Sequence, residues 1–339
     1  MSLLLRLLGV LLMLSALAIP LVRAPDRAVE TLVARWAPPP SEFIDLKGQL
    51  VHYRDEGPKS DPTPIVLLHG TSASLHTWEG WSKALRGQRR VISLDLPAFG
   101  LTGPFAGSYA GQTYTGTNYA RFVLDLLDQL AVQRFVVAGN SLGGEVAWRI
   151  AAAAPQRVAQ LVLVDSAGYP MTATNIPLGW QIARLPVLGR VAEHLLPRPI
   201  IVQGLHAVYG DPAKINEALV DRYFELTLRA GNRAALVQRA QQWSADEGVQ
   251  RITGISAPTL ILWGGRDRII PPALAQRFEA DIAGSRRVVF ADLGHVPHEE
   301  DPARTVAAVQ AFLGAAAVPA AVGLPAAAAS AVPAASAPR

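Results

Sequence analysis

Gly139-Asn140-Ser141-Leu142-Gly143 sets a serine hydroxyl inside a G-x-S-x-G run, after the apolar stretch Phe135 to Ala138 and before a helix-like segment, Glu145 to Ala154. A sharp strand-to-helix turn of this kind lifts the hydroxyl above a sheet. The glycines answer to crowding, because side chains two residues either side of the strained serine would collide. Serine is a weak nucleophile and needs an adjacent base, itself oriented by an acid. The chain order Ser, Asp or Glu, His suits this turn. It selects Asp267 and His295, each just past a later strand. His298 competes as base but reads as a loop or helix-start residue. Asp165 also ends a strand and competes as acid, its other reading being a hydrogen bond to loop backbone. Asp267 is preferred because the Gly264-Gly265 turn sets it on an exposed strand end. Charge developing on a substrate oxygen calls for backbone donors: the N–H of Leu142 and that of Thr71 in the loop after His69-Gly70, with Ser72 the second choice. Gly70, where backbone can approach closely, Ser72 and Trp78 are the expected substrate-binding residues, with His76 as another candidate wall of the pocket.

Regular elements must carry these groups. Glu42 to Leu46 and Leu50 to Asp55 read as a hairpin around Lys47-Gly48-Gln49. Ile65 to Leu68, Arg90 to Leu94, Phe135 to Ala138, Val158 to Val164, Thr259 to Trp263 and Arg287 to Phe290 are short strands. Helical runs alternate with them, at Trp78 to Leu85, Tyr119 to Leu130, Pro272 to Ala283 and Pro302 to Leu313. That alternation predicts βαβ units and a parallel sheet, and continuously apolar strands predict cover on both faces. Between Gly168 and Ala257 no clean strand occurs. Trp180 to Leu185, Leu188 to Leu196, Pro212 to Arg229 and Asn232 to Ser244 predict a helical cap inserted in the sheet domain.

These motifs resemble the α/β-hydrolase superfamily, in particular its capped group of bacterial esterases, lipases and meta-cleavage-product hydrolases. The resemblance runs from about Phe43 to Leu313. It rests on His69-Gly70-Thr71, Asp95-Leu96-Pro97-Ala98-Phe99-Gly100, Gly139 to Gly144, Trp263 to Pro271, and Gly294-His295-Val296-Pro297 with Glu300 and Pro302 beyond. Ala98 stands where glycine is commoner. The resemblance implies an eight-stranded, mostly parallel sheet flanked by helices, with an inserted helical cap. It also implies a Ser141-His295-Asp267 triad. Relatives that are epoxide hydrolases or haloalkane dehalogenases carry an aspartate nucleophile, so Ser141 disfavours those activities.

The 339 residues suffice for one large α/β domain with an insertion. The expected organisation is a membrane anchor or signal segment at 1–24, a linker at 25–41, the hydrolase core at 42–168 and 258–313, the cap at 169–257 and a disordered Ala/Pro tail at 314–339. Leu3 to Val22 is nearly all apolar, broken by Arg6 and Pro20, and Pro25 hinders cleavage after Ala24, so an uncleaved anchor is preferred to a secretory peptide. The expected location is membrane-anchored or exported, on the periplasmic side of a bacterial inner membrane. With no cysteine, thiolate metal sites and cysteine nucleophiles are excluded. Scattered arginines with a net charge of +4 and no basic run exclude a nucleic-acid partner. The leading expectation is cleavage of small-molecule carboxylic esters through an acyl-enzyme, with no cofactor. The alternatives are hydrolysis of a C–C bond in a vinylogous diketone acid, with Arg149, Arg184 or Arg190 as the clamp, or a non-catalytic ligand-binding protein.

Overall fold

A computed structural model describes residues 5–7, 9–10, 13, 24–170, 178–243 and 248–315. The stretch 1–24, expected to be an anchor, and the tail expected at 314–339 lie almost entirely outside the described residues. Among the described residues no helix is long and apolar enough to cross a membrane.

Helix α1 (Glu30–Trp36) leads into strands β1 (Ser41–Leu46) and β2 (Gln49–Glu56). Lys47 and Gly48 join them with φ of 56° and 84°, the two left-handed residues that a type I′ hairpin requires. β3 (Ile65–Leu68), β4 (Val91–Leu94), β5 (Phe135–Asn140), β6 (Val158–Val164), β7 (Thr259–Gly264) and β8 (Arg286–Phe290) complete one eight-stranded sheet in the order β1-β2-β4-β3-β5-β6-β7-β8. β1 and β2 are antiparallel to their neighbours and the other strands run parallel.

Both faces are covered, which is why these strands read as unbroken apolar runs. Val66, Leu68, Val137, Ile261 and Trp263 face one core, and Ile65, Leu67, Val136, Ala138, Leu260 and Leu262 face the other. The helices on the sheet are α2 (Glu79–Leu85), α3 (Gly116–Gln129), α4 (Leu142–Ala153), α10 (Ala273–Asp281) and α12 (Pro302–Ala315), with the short α11 (Pro297–Glu300) before the last.

Between β6 and β7 the described α-helices are α5 (Leu178–Arg184), α6 (Pro186–Ala192), α7 (Arg198–Val208), α8 (Glu217–Thr227) and α9 (Asn232–Gln242). Three details depart from the sequence reading. The helix expected from Leu188 to Leu196 instead runs from Pro186 to Ala192. The helix expected from Pro212 to Arg229 is split into a 3-10 turn, Pro212–Lys214, and α8, which starts at an Asn216 cap accepting from the Leu219 N–H at 2.9 Å. α7 has no counterpart among the expected helices. Pro197 and Pro199 look like breakers, yet they sit at its N-cap and first turn, where a missing N–H costs nothing.

Candidate active site

Ser141 stands between the end of β5 and the start of α4, with φ 54° and ψ −115°. Its neighbours must be glycine. A Cβ on Gly139 would lie 2.0 Å from the Gly143 carbonyl oxygen, and one on Gly143 would lie 2.0 Å from that of Leu68. One on Gly70 would come within 3.1 Å of the Ser141 Cβ, so the loop after β3 passes directly beside Ser141. Leu142 opens α4, so its N–H has no acceptor within the helix. Thr71 and Ser72 are half-buried in the neighbouring loop, Ser72 with φ 61°. Ser72 also lines a cavity of about 10 Å³, one water in size, against Leu226 and Thr227 of the cap.

His295 lies past β8 and Asp267 past β7, and they meet: His295 Nδ1 is 2.7 Å from Asp267 Oδ2. Both are buried. The other Asp267 oxygen accepts from the Ile269 and Ile270 N–H groups at 2.7 and 2.9 Å. Three charge-stabilising bonds thus converge on one carboxylate. With Nδ1–H donating to Asp267, Nε2 is left as the basic nitrogen. The two strand ends are packed tightly enough that a Cβ on Gly264 would lie 1.8 Å from the Gly294 carbonyl.

Asp165 comes into the same cluster. It ends β6 with φ 44°, is fully buried, and accepts from the Gly264 N–H at 2.9 Å. Burial first, then the adjacent Asp267 carboxylate and a hydrogen bond with it, holds the Asp165 carboxyl well above the ordinary carboxylate range. Asp165 Oδ2 has no conventional donor. Protonation resolves this, since a carboxylic acid there donates to Asp267. Ligand atoms of Asp165, Asp267 and His295 lie within 4.8 Å of one another. Backbone N–H groups donate to both aspartates, so their oxygens already serve as hydrogen-bond acceptors within the cluster.

Other expected residues fall elsewhere. Trp78 is fully buried, its ring 4.0 Å from that of His298 and 4.9 Å from that of Trp81. It belongs to the core cluster with Trp81, Ile65 and Leu67, in the 3-10 turn Leu75–Trp78 whose four residues are all buried. His76 is likewise buried and bonded to the Trp36 carbonyl at 2.7 Å. His298 is fully buried, and desolvation drives its pKa well below that of a free imidazole. His69 accepts from the Leu96 N–H at 2.9 Å and donates to the Gly70 carbonyl at 2.7 Å, holding the loop that carries Thr71.

Asn140 and Glu300 stand in the sequence motifs, but the bonds they make were not foreseen there. Asn140 Nδ2 donates to the His295 carbonyl at 2.9 Å and to that of Val164 at 3.1 Å, tying the end of β5 to the segment that carries His295. Glu300 accepts from the N–H groups of Gly294, Asp211 and Gly210 at 2.8, 2.8 and 3.0 Å. Its place in the G-H-x-P-x-x-E stretch was the available signal.

Residues 63–302 match the family described as alpha/beta hydrolase fold. The chain belongs to the α/β-hydrolase family. This α/β hydrolase is 32% identical over 280 residues to the dihydrolipoyllysine-residue acetyltransferase component of the acetoin cleaving system of Pseudomonas putida, covering 81% of this chain and 70% of that one. It is 27% identical over 257 residues to a 2-hydroxy-6-oxononadienedioate/2-hydroxy-6-oxononatrienedioate hydrolase of Klebsiella pneumoniae, covering 72% and 84%. Among solved structures, a bacterial membrane phospholipase A superposes with a TM-score of 0.70 at 25% identity, covering 92% of this chain and 98% of that one.

Proposed function

We propose that this hydrolase cleaves carboxylic esters with Ser141 as nucleophile, His295 as base and Asp267 as orienting acid. The observation that carries the reading is the 2.7 Å His295–Asp267 bond, joined through the Asn140 side chain to the strained turn that holds Ser141. The Ser141 hydroxyl attacks the carbonyl carbon while His295 Nε2 takes its proton. The N–H groups of Leu142 and Thr71 hold the oxyanion. Collapse returns the proton to the leaving alcohol, and water, deprotonated by the same nitrogen, releases the acid. The C–C alternative needs a cation for the substrate carboxylate. Arg149 is paired with Glu145 at 2.9 Å, and Arg184 and Arg190 are exposed on the cap, which favours the ester. The residues at 3–22 support an anchored or exported location.

Ser141→Ala tests the mechanism. Turnover of p-nitrophenyl esters should fall by about 10⁴-fold or more with the melting temperature unchanged. A variant that still hydrolyses them would remove Ser141 from the reaction. A meta-cleavage substrate assayed in parallel distinguishes the bond broken.

A further inference from the structure

α6 is built with its polarity reversed. Its one buried residue is Gly189, where a Cβ would lie 3.0 Å from Val237 of α9. Its larger side chains point outward. Val187 is 75% exposed, and Leu185, Leu188 and Val191 are each about half exposed, as is Ile200 on the next helix. Arg184 and Arg190 are exposed in the same stretch, and Glu193 is the one acid between Arg184 and Arg198. Beside Ile200, a hollow of about 480 Å³ opens along α7 by Pro199, Val202 and His206. Several large apolar side chains exposed together along one short helix, with cations beside them, mark a recognition face rather than a solvated one.

The route of the chain says what this face meets. The apolar run 3–22 joins the folded domain through Asp26 and Arg27, and both are clamped to the cap. Asp26 accepts from Arg233 at 2.6 Å and from the Gly231 N–H at 3.1 Å. Arg27 exchanges backbone bonds of 2.7 and 2.8 Å with Leu228 and Ala230. Farther along, Asp221 of α8 holds Arg35 of α1 at 2.8 Å and Arg198, at the start of α7, at 2.6 Å. The segment following the apolar run is therefore fastened to α8 and the head of α9, and the start of α7 to α8; α9 is the helix against which Gly189 of α6 also packs. Leu5, Leu7, Val10 and Met13 of that run are exposed too.

We propose that α6 and the start of α7 form a docking face for an anionic lipid bilayer, with the apolar side chains entering the interface and Arg184 and Arg190 meeting acidic headgroups. The proposal rests on the run at 3–22 lying at a membrane and is independent of the chemistry at Ser141.

The absence of cysteine makes the test direct. The full chain carrying Val187→Cys, or Ser60→Cys in the exposed β2–β3 loop at the far end of the sheet, is labelled with a polarity-sensitive fluorophore. It is then mixed with vesicles of phosphatidylcholine alone or with phosphatidylglycerol. Vesicle flotation reads total binding. The probe at 187 should brighten, shift to the blue and be quenched by spin-labelled lipid, most strongly with phosphatidylglycerol, and adding Arg184→Glu and Arg190→Glu should weaken this. The probe at 60 should keep its aqueous emission. If the chain floats but the probe at 187 stays aqueous, the anchor reading survives and the docking face is overturned. If the chain does not float, both fall. Brightening without vesicles that grows with protein concentration would assign the face to a second copy and also overturn the proposal.

Discussion

Asp165 and Asp267 are two carboxyls in one dry cluster, and they cannot both be charged at modest cost. Asp267 has three N–H partners to stabilise its charge, whereas Asp165 has one, so the proton stays on Asp165. Its folded pKa is raised above the unfolded 3.8. The associated stability is therefore complete below pH 3.8 and is lost as pH rises toward the folded value. Asp165→Asn keeps a neutral donor and an acceptor for Gly264 without that loss. It should raise the melting temperature at pH 7, and the gain over the parent should shrink toward pH 4. Asp165→Ala leaves the Gly264 N–H unpaired and should cost about 1–3 kcal/mol. A denaturation series across pH on both variants decides. The sequence marks Ser141, Asp267 and His295 because their turns are local signatures. That Asp165 would touch Asp267 could not be read there, since it depends on the β6–β7 register of strands far apart in the chain.

At the scale of elements, α1 is held to the domain through a histidine kept neutral. His76 Nε2 donates to the Trp36 carbonyl and Nδ1 lies 2.9 Å from the Ser74 hydroxyl. Desolvation is the main cause of a pKa lowered to about 4, with the Asp95 charge opposing it. A lowered histidine pKa gives stability that is complete above pH 6.5 and lost as pH falls from 6.5 toward 4, by about 3 kcal/mol at most. The desolvation of His69 and His298 acts in the same direction. Urea midpoints should fall over that window, and His76→Gln should flatten the fall; an unchanged slope would remove His76 from it. The alternating strands and helices of the core were legible because period and punctuation are local. α7 was hidden because prolines at a helix start and prolines in a loop look alike without the backbone that follows. Ala98, in left-handed backbone with φ 79°, shows the opposite case, a turn kept where the residue alone does not ask for it.

For the whole molecule, the junction of cap and core is the organising contact. Glu299 receives the Arg222 guanidinium and, at 2.8 Å, the Tyr223 hydroxyl, both from α8. Arg222 is largely buried, so Glu299→Ala strands a cation away from water. It should destabilise the fold by about 3–5 kcal/mol and expose 198–243 to limited proteolysis. Equal melting temperature and equal cleavage would show that the pair carries no such role. The expected cap was visible as a change of rhythm between Gly168 and Ala257, but its fastening was not, because single glutamates in a polar stretch carry no pattern.

The six residues from His295 to Glu300 have a practical consequence for anyone recombining such enzymes. They bear the proposed base at one end and the cap's fastenings at the other, and the His295 N–H itself bonds the Val208 carbonyl at 2.7 Å. The cap is thus not a detachable cassette. A chimera that exchanges it at the β6 and β7 borders would leave His295 without the backbone it leans on. Grafts should carry the 208–211 turn and the 295–300 segment together as one inherited unit.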